Sequence, residues 1–211
     1  VVASVLRGRF TTYRNPGNMN NEIGLPLSVL AITPDTEVAV LEMGGAYAFG
    51  ELRLLAEIAR PRIGIVTNSG GPGVLAADVA DAAGLEMAVP SEALRARLRA
   101  SPHLSTLGSL ANPIDLTVQG TEDGYREALV AALDEADAAL AIDVNTPYID
   151  AAPIARGVVA AARASGKPVA ACFMAGKTVA EGLPILKEGG VPNFATGERA
   201  AAVIATVARY E

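Results

Sequence analysis

Apolar residues in this chain fall into two recurring patterns. Short unbroken runs bounded by glycine, proline or polar residues read as strands covered on both faces of a sheet, and longer stretches with apolar residues every three or four positions read as amphipathic helices. Residues 1–6 read as the end of a helix stopped near Gly8. Residues 10–13 have strand composition, 15–22 form a polar loop, and 23–32 read as a helix despite Gly24 and Pro26 near its start. A strand over 37–43 turns at Gly44-Gly45, and 50–60 carry Leu52, Leu55, Ala56 and Ala59 at helical spacing. Arg62–Thr67 is the next strand. The strands 37–43 and 62–67 are both apolar enough to be covered on two faces, and are expected side by side and parallel.

After Asn68-Ser-Gly-Gly-Pro-Gly73 the alternation continues with a helix over 74–83, a strand over 85–89, and a helix over 91–99 with Ser91 as its cap. A loop over 101–111 leads to a short extended piece, Asn112-Pro-Ile-Asp-Leu116. Helices are then expected over 122–135, 152–164, 179–188 and 197–210, and strands over 138–144, 168–174 and 192–195. Strand–helix alternation at these lengths requires parallel pairing and right-handed crossovers. The expected fold is α/β: an open parallel sheet with helices on both faces, flavodoxin-like, preceded by an N-terminal α/β extension, with its site at the C-terminal strand ends.

Composition narrows the class. Of 211 residues, 51% are hydrophobic and 19% charged, as in soluble α/β proteins. A net charge of −6 argues against a broad nucleic-acid surface. A single cysteine excludes an internal disulfide framework and fits the cytoplasm. No apolar run approaches the length of a membrane span. The chain opens at Val1 inside an apolar stretch, as expected of a fragment or a processed product.

The stretch between strand 62–67 and the next helix carries the clearest chemistry. Asn68, Ser69, Gly70, Gly71 and Gly73 form a candidate phosphate-binding set, because glycines let the backbone approach, free N–H groups point outward, and a helix start favours negative charge. A tight turn that binds nothing is the plain alternative. Candidate substrate-edge residues are Asn112, Asp115, Gly176 and Lys177. For Asp115 a turn-stabilising role competes. Asp143 and Asn145 end a strand at the same edge. Ala171-Cys-Phe-Met-Ala-Gly-Lys-Thr178 fits a loosened phosphate-loop pattern, but its apolar first half reads as the strand itself. His103, the only histidine, lies in a loop and reads as a surface residue; Cys172 reads as an inert core thiol. The residues assemble no Ser/His/Asp nucleophile set, no Cys/His metal cluster, and no assignable catalytic group.

Residues 62–211 resemble a domain of the nucleotide-forming acyl-CoA synthetases, the superfamily of ADP-forming acetyl-CoA synthetase and succinyl-CoA synthetase. The resemblance rests on Ile65-Val-Thr-Asn-Ser-Gly-Gly-Pro-Gly-Val-Leu-Ala-Ala-Asp78, Gly84-Leu85, Asn112-Pro-Ile-Asp-Leu116 and Tyr125. Gly166-Lys-Pro-Val169, Gly189-Gly-Val-Pro192 and Glu198-Arg-Ala200 extend it. It implies a flavodoxin-like domain whose glycine turn helps hold the phosphate of a phosphohistidine intermediate. It also implies ATP/ADP, CoA and magnesium as cofactors, and other domains or subunits carrying the CoA-binding fold, the phosphohistidine and an ATP-grasp.

Residues 1–67 resemble part of the central domain of the Mur ligases, on Pro16-Gly-Asn-Met-Asn-Asn-Glu-Ile-Gly-Leu-Pro-Leu27, Val38-Ala-Val-Leu-Glu-Met-Gly44, Gly50-Glu51 and Ala59-Arg-Pro61. The phosphate loop of that family, ending Gly-Lys-Thr, belongs ahead of Val1, and its metal-binding His is replaced by Ser69-Gly-Gly-Pro72. Glu42 remains as a magnesium ligand, and a lone carboxylate makes a poor metal site. The expected division is 1–61 as a partial Mur-ligase-like segment and 62–211 as a CoA-ligase-type domain. The expected function is a phosphate-handling domain of an acyl-CoA synthetase, incomplete on its own. The rivals are a Mur-ligase-like amide-forming fragment and a non-catalytic recombined scaffold.

Overall fold

The computed structural model describes residues 2–44, 54–55, 58–104, 107–117 and 120–210, the last five by their backbone alone. The helix expected over 50–60 falls largely outside them. The chain divides into two compact units, Val1–Arg60 with Ala205–Glu211, and Pro61–Ile204.

In the first unit, α1 (Val2–Leu6), β1 (Thr12–Arg14), α2 (Gly24–Leu30) and β2 (Val38–Val40) follow one another. β1 and β2 pair in parallel, Thr12 opposite Val38, with α2 as the crossover. The apolar pattern suggested strand 62–67 as the neighbour of strand 37–43; among the described residues its sheet partner is β1. Asn15, buried although polar, ties the loops together. Its Nδ2 donates to the Met19 and Glu42 carbonyls at 2.8 and 2.9 Å, and its Oδ1 accepts from the Glu42 N–H at 2.9 Å.

The second unit holds a five-stranded parallel sheet: β3 (Arg62–Thr67), β4 (Glu86–Met87), β5 (Ile114–Asp115), β6 (Ala138–Val144) and β7 (Val169–Met174). The order is β4-β3-β6-β7, with β5 also on β3. β4 pairs with the start of β3 and β5 with its end, so the two short strands share one edge. Asn112 bridges the gap between them. Its Oδ1 accepts from the Ile65 N–H at 2.8 Å and its Nδ2 donates to the Ile63 carbonyl at 2.7 Å, so one side-chain amide takes the place of a strand peptide.

Helices cover both faces: α3 (Gly70–Ala82), α4 (Glu92–Ala100), α5 (Glu122–Glu135), α6 (Ala151–Ser165), α7 (Gly182–Glu188) and α8 (Gly197–Tyr210). β3 from Ile63 to Thr67 is fully buried, as a central strand covered on two faces must be. Gly73 of α3 faces Thr67 on one side of the sheet, and Ala132 of α5 faces Gly64 on the other. The helix expected over 179–188 is split into a 3-10 turn, Gly176–Val179, and α7. The strand expected over 192–195 reduces to one bridge, Ala171 to Asn193, because the Asn193 Oδ1 accepts from the Phe173 N–H at 2.9 Å and ends the ladder.

Candidate anion site at the head of α3

α3 starts at Gly70, four residues earlier than the apolar periodicity places it, so the glycines form the first helical turn rather than a loop before it. This narrows the expected set of amides. The Ser69 N–H donates to Thr67 Oγ1 at 3.0 Å, and that hydroxyl donates to the Ser69 carbonyl at 2.8 Å. The Gly73 N–H donates to the same carbonyl at 3.3 Å, and Pro72 has no N–H. The free donors among the described residues are the Gly70 and Gly71 amides, at the positive end of a 13-residue helix.

The neighbouring helices begin differently. Ser91 accepts from the Leu94 N–H at the head of α4, Thr121 from Gly124 at α5, and Asp150 from Ala152 at α6. Ser69 holds the same position at α3 in extended conformation, yet its side chain makes no cap hydrogen bond.

The glycines have separate reasons. A Cβ at Gly73 would meet Thr67 Cγ2 at 2.9 Å and Pro113 Cβ at 3.3 Å, so Gly73 is there to let α3 lie close on the sheet. A Cβ at Gly70 would lie 3.3 Å from Asp115 Oδ2, and one at Gly71 would stand in open space. None of the three has a positive φ, so no left-handed backbone is involved.

Asn68 turns away from the helix head. Its Nδ2 donates to Asp143 Oδ1 at 2.8 Å and to the Val144 carbonyl at 3.3 Å, and its Oδ1 accepts from the Val144 N–H at 2.8 Å. Its side chain is engaged by β6 and so is not presented at the helix head. Asn112 is likewise engaged by β3. Asp115 does stand at the site: Oδ2 faces Gly70, while Oδ1 accepts from the Thr117 N–H at 2.8 Å. Gly176 and the exposed Lys177 follow β7 on the same C-terminal edge, and β6 lies between β7 and β3. That separates them from α3 by two strand spacings, about 10 Å.

Asp143 stands out more than its place at a strand end suggests. It is fully buried, and its Oδ2 has no hydrogen-bond partner among the described residues. Burial pushes its carboxyl up to about 6, against the lowering effect of the Asn68 bond. Beside it Tyr125, also fully buried, donates its hydroxyl to the Ile142 carbonyl at 2.7 Å. Burial, with Asp143 and Asp115 adding to it, holds that phenol well above its ordinary value and hence neutral. Neither role is visible in the sequence, because both depend on neighbours far along the chain.

The remaining candidates lie elsewhere. Glu42 Oε1 accepts from Asn20 Nδ2 at 2.7 Å, and no cluster of three or more His, Cys, Asp or Glu able to hold a metal exists among the described residues. One carboxylate paired with a neutral amide does not fit magnesium, which wants several hard oxygens. His103 is exposed, 3.8 Å from Glu127. Cys172 is buried in β7, its thiol pushed up to about 11 by burial and by Glu198. A cleft of about 520 Å3 lined by Arg95, Leu98, Arg99 and Leu104 shares no residue with the α3 head. No helix among the described residues is long and apolar enough to cross a membrane.

Residues 63–211 match the Ligase-CoA domain. The chain belongs to the Ligase-CoA domain family. Residues 1–71 match the Mur ligase middle domain, so the two matches overlap on β3 and the head of α3. The acetate–CoA ligase (ADP-forming) II subunit alpha of Pyrococcus furiosus is 35% identical over 147 residues, 67% of this chain and 32% of that protein. The UDP-N-acetylmuramoyl-tripeptide–D-alanyl-D-alanine ligase of Bacillus subtilis is 46% identical over 70 residues, 33% of this chain and 15% of that protein. The chain thus spans a third or less of the length of these relatives. Among solved structures, the dinucleotide forming acetyl-coenzyme A synthetase 1 of Ca. Korarchaeum cryptofilum, apo form, aligns with a TM-score of 0.64 at 22% identity. It covers 87% of this chain and 55% of that one, and shows the same fold.

Proposed function

We propose that the Ligase-CoA portion is a phosphate-handling domain of an ADP-forming acyl-CoA synthetase, working with other domains or subunits. The observation that carries this reading is the pair of free amides, Gly70 and Gly71, at the uncapped head of α3 on the C-terminal edge of the sheet. Backbone N–H groups and a helix dipole directed at one point favour a dianionic phosphoryl group. The phosphoryl donor, the CoA site and the ATP-grasp belong to the partners in this reading, and ATP/ADP, CoA and magnesium act there. This chain's part is to steady the phosphoryl charge. Such a helix head contributes about 0.3–1 kcal/mol when exposed and up to ~2 when partly buried, so an isolated anion binds weakly and the partners supply the rest. Among the described residues no group is placed to transfer a phosphoryl, and the chain alone is expected not to hydrolyse ATP.

Phosphate titration followed by NMR tests this. The Gly70 and Gly71 amides are expected to shift in the wild type and to stay still in Gly71→Asp, whose carboxylate would stand at the helix head. Shifts elsewhere with these two amides unmoved would remove the reading. A Mur-ligase-like amide-forming role rests on residues 1–71 alone, where Glu42 is held by Asn20 rather than set among other metal-binding groups.

A further inference from the structure

The proposed site contains an electrostatic contradiction. A dianion is to be held at a turn whose immediate support is a buried carboxylate. Asn68 is the residue before the N-cap of α3, and its side chain is fixed by three hydrogen bonds to the end of β6, one of them to Asp143. Asp143 is fully buried, with Oδ1 satisfied by Asn68 and Oδ2 by nothing among the described residues. A buried carboxylate oxygen without a donor is costly when charged. Carrying a proton relieves that cost and removes a negative charge from the group that holds Asn68.

We propose that Asp143 is the positioning residue of this anion site: it takes up a proton as the anion binds and, through Asn68, holds the turn that aims the Gly70 and Gly71 amides. The inference rests on the reading of the α3 head as an anion site. Among the described residues Tyr125 of α5 is the titratable group coupled to Asp143, and Asp115 of β5 acts on Tyr125 in turn. Tyr125 stays neutral, and Asp115 Oδ2 faces Gly70. The turn after β3 presents Asn68 and β7 presents Phe173, which carry no charge, and α6 adds apolar Ala151 and Ile154 to the cluster that holds Tyr125 and Phe173. No cation from these elements neutralises Asp143, so its charge is relieved by a proton. The direction of its shift, upward by burial, agrees with this geometry. Linkage then runs both ways: protonation of Asp143 tightens anion binding, and bound anion makes Asp143 harder to ionise.

Sulfate is the suitable probe, since it stays a dianion across the useful range while phosphate itself titrates. With the full 211-residue chain, NMR titration is expected to show sulfate affinity at the Gly70 and Gly71 amides roughly tenfold tighter near about pH 5 than near about pH 8, a coupling equivalent to about one pH unit. The side-chain carboxyl 13C signal of Asp143 is expected to titrate at higher pH with saturating sulfate than without it. Asp143→Asn is expected to bind at the low-pH strength at both values, and Asp115→Asn to keep the pH dependence. Asp143→Asn retaining the wild-type dependence, or an Asp143 midpoint indifferent to sulfate, would overturn the proposal. The second measurement needs no variant, so it decides even where Asp143→Asn fails to fold. Gly70 and Gly71 amides that respond with pH-independent affinity sink this inference alone; amides that never respond sink the anion-site reading with it.

Discussion

Two helices leave the same edge of the sheet in opposite condition. α6 begins on Asp150, whose carboxylate accepts from the Ala152 N–H at 2.9 Å, so the helix satisfies its own head. α3 begins on Ser69, whose side chain caps nothing, and offers the Gly70 and Gly71 amides outward. A capped head is a finished structural element. An uncapped head leaves its first amides without a side-chain acceptor, so its stability responds to any negative charge placed there.

The largest effect that tests this contrast is on packing. Gly73→Ala places a methyl 2.9 Å from Thr67 Cγ2, and is expected to cost about 1–3 kcal/mol in urea unfolding. Gly71→Ala, in open space, is expected to cost nothing measurable. Equal losses at the two positions would show that the glycines act through the backbone instead.

Next comes the pH dependence set by Asp143. Its folded-state value, about 6, lies above the ordinary 3.8, so the native state binds this proton more tightly than the unfolded chain does. The stability it contributes is fully present below pH 3.8 and is lost as pH rises through about 6. Asp143→Asn is expected to remove that slope and to be more stable than wild type near about pH 8, by on the order of 2 kcal/mol. Urea midpoints measured across pH check the slope; an unchanged slope in the variant would assign it to other groups.

The contrast itself is sharpened by the two caps. Asp150→Ala is expected to cost about 1 kcal/mol, while Ser69→Ala falls within about 0.5 of wild type. Chemical unfolding of both settles the matter, and a Ser69→Ala loss matching that of Asp150→Ala would break the comparison. The smallest effect is a gain. Gly71→Asp is expected to stabilise the anion-free chain by about 0.3–1 kcal/mol, since it supplies the negative charge that the helix head lacks. A thermal melt at low salt measures it, and a loss instead would show that the head is already compensated, with Asp115 as the obvious source.

The second unit was readable because its central strands are unbroken apolar runs, and only strands buried on both faces look like that. Boundaries and partners were less so. The start of α3 was misplaced because Gly, Gly, Pro and Gly are poor formers of a helix interior, yet the first turn tolerates them: its N–H groups are unpaired there anyway. Strand 37–43 was given the wrong neighbour, although β1, one helical crossover away, was the nearer candidate. Asn68 was grouped with the glycine turn and Asn112 with the substrate edge, but both side chains are engaged by neighbouring strands. Their actual partners lie 47 and 75 positions away and carry no trace in the local pattern.

Tyr125 turns this buried arrangement into something optical. The chain has no tryptophan, so its near-ultraviolet spectrum is dominated by five tyrosines over a weak contribution from four phenylalanines. Tyr125 is fully enclosed with its phenol bonded to a carbonyl, whereas Tyr148 is almost wholly exposed. An enclosed phenol absorbs differently from a hydrated one and feels the charge of the carboxylate beside it. Derivative absorption spectroscopy can therefore follow the ionisation of Asp143 without a label, through a chromophore that the fold has already placed next to it.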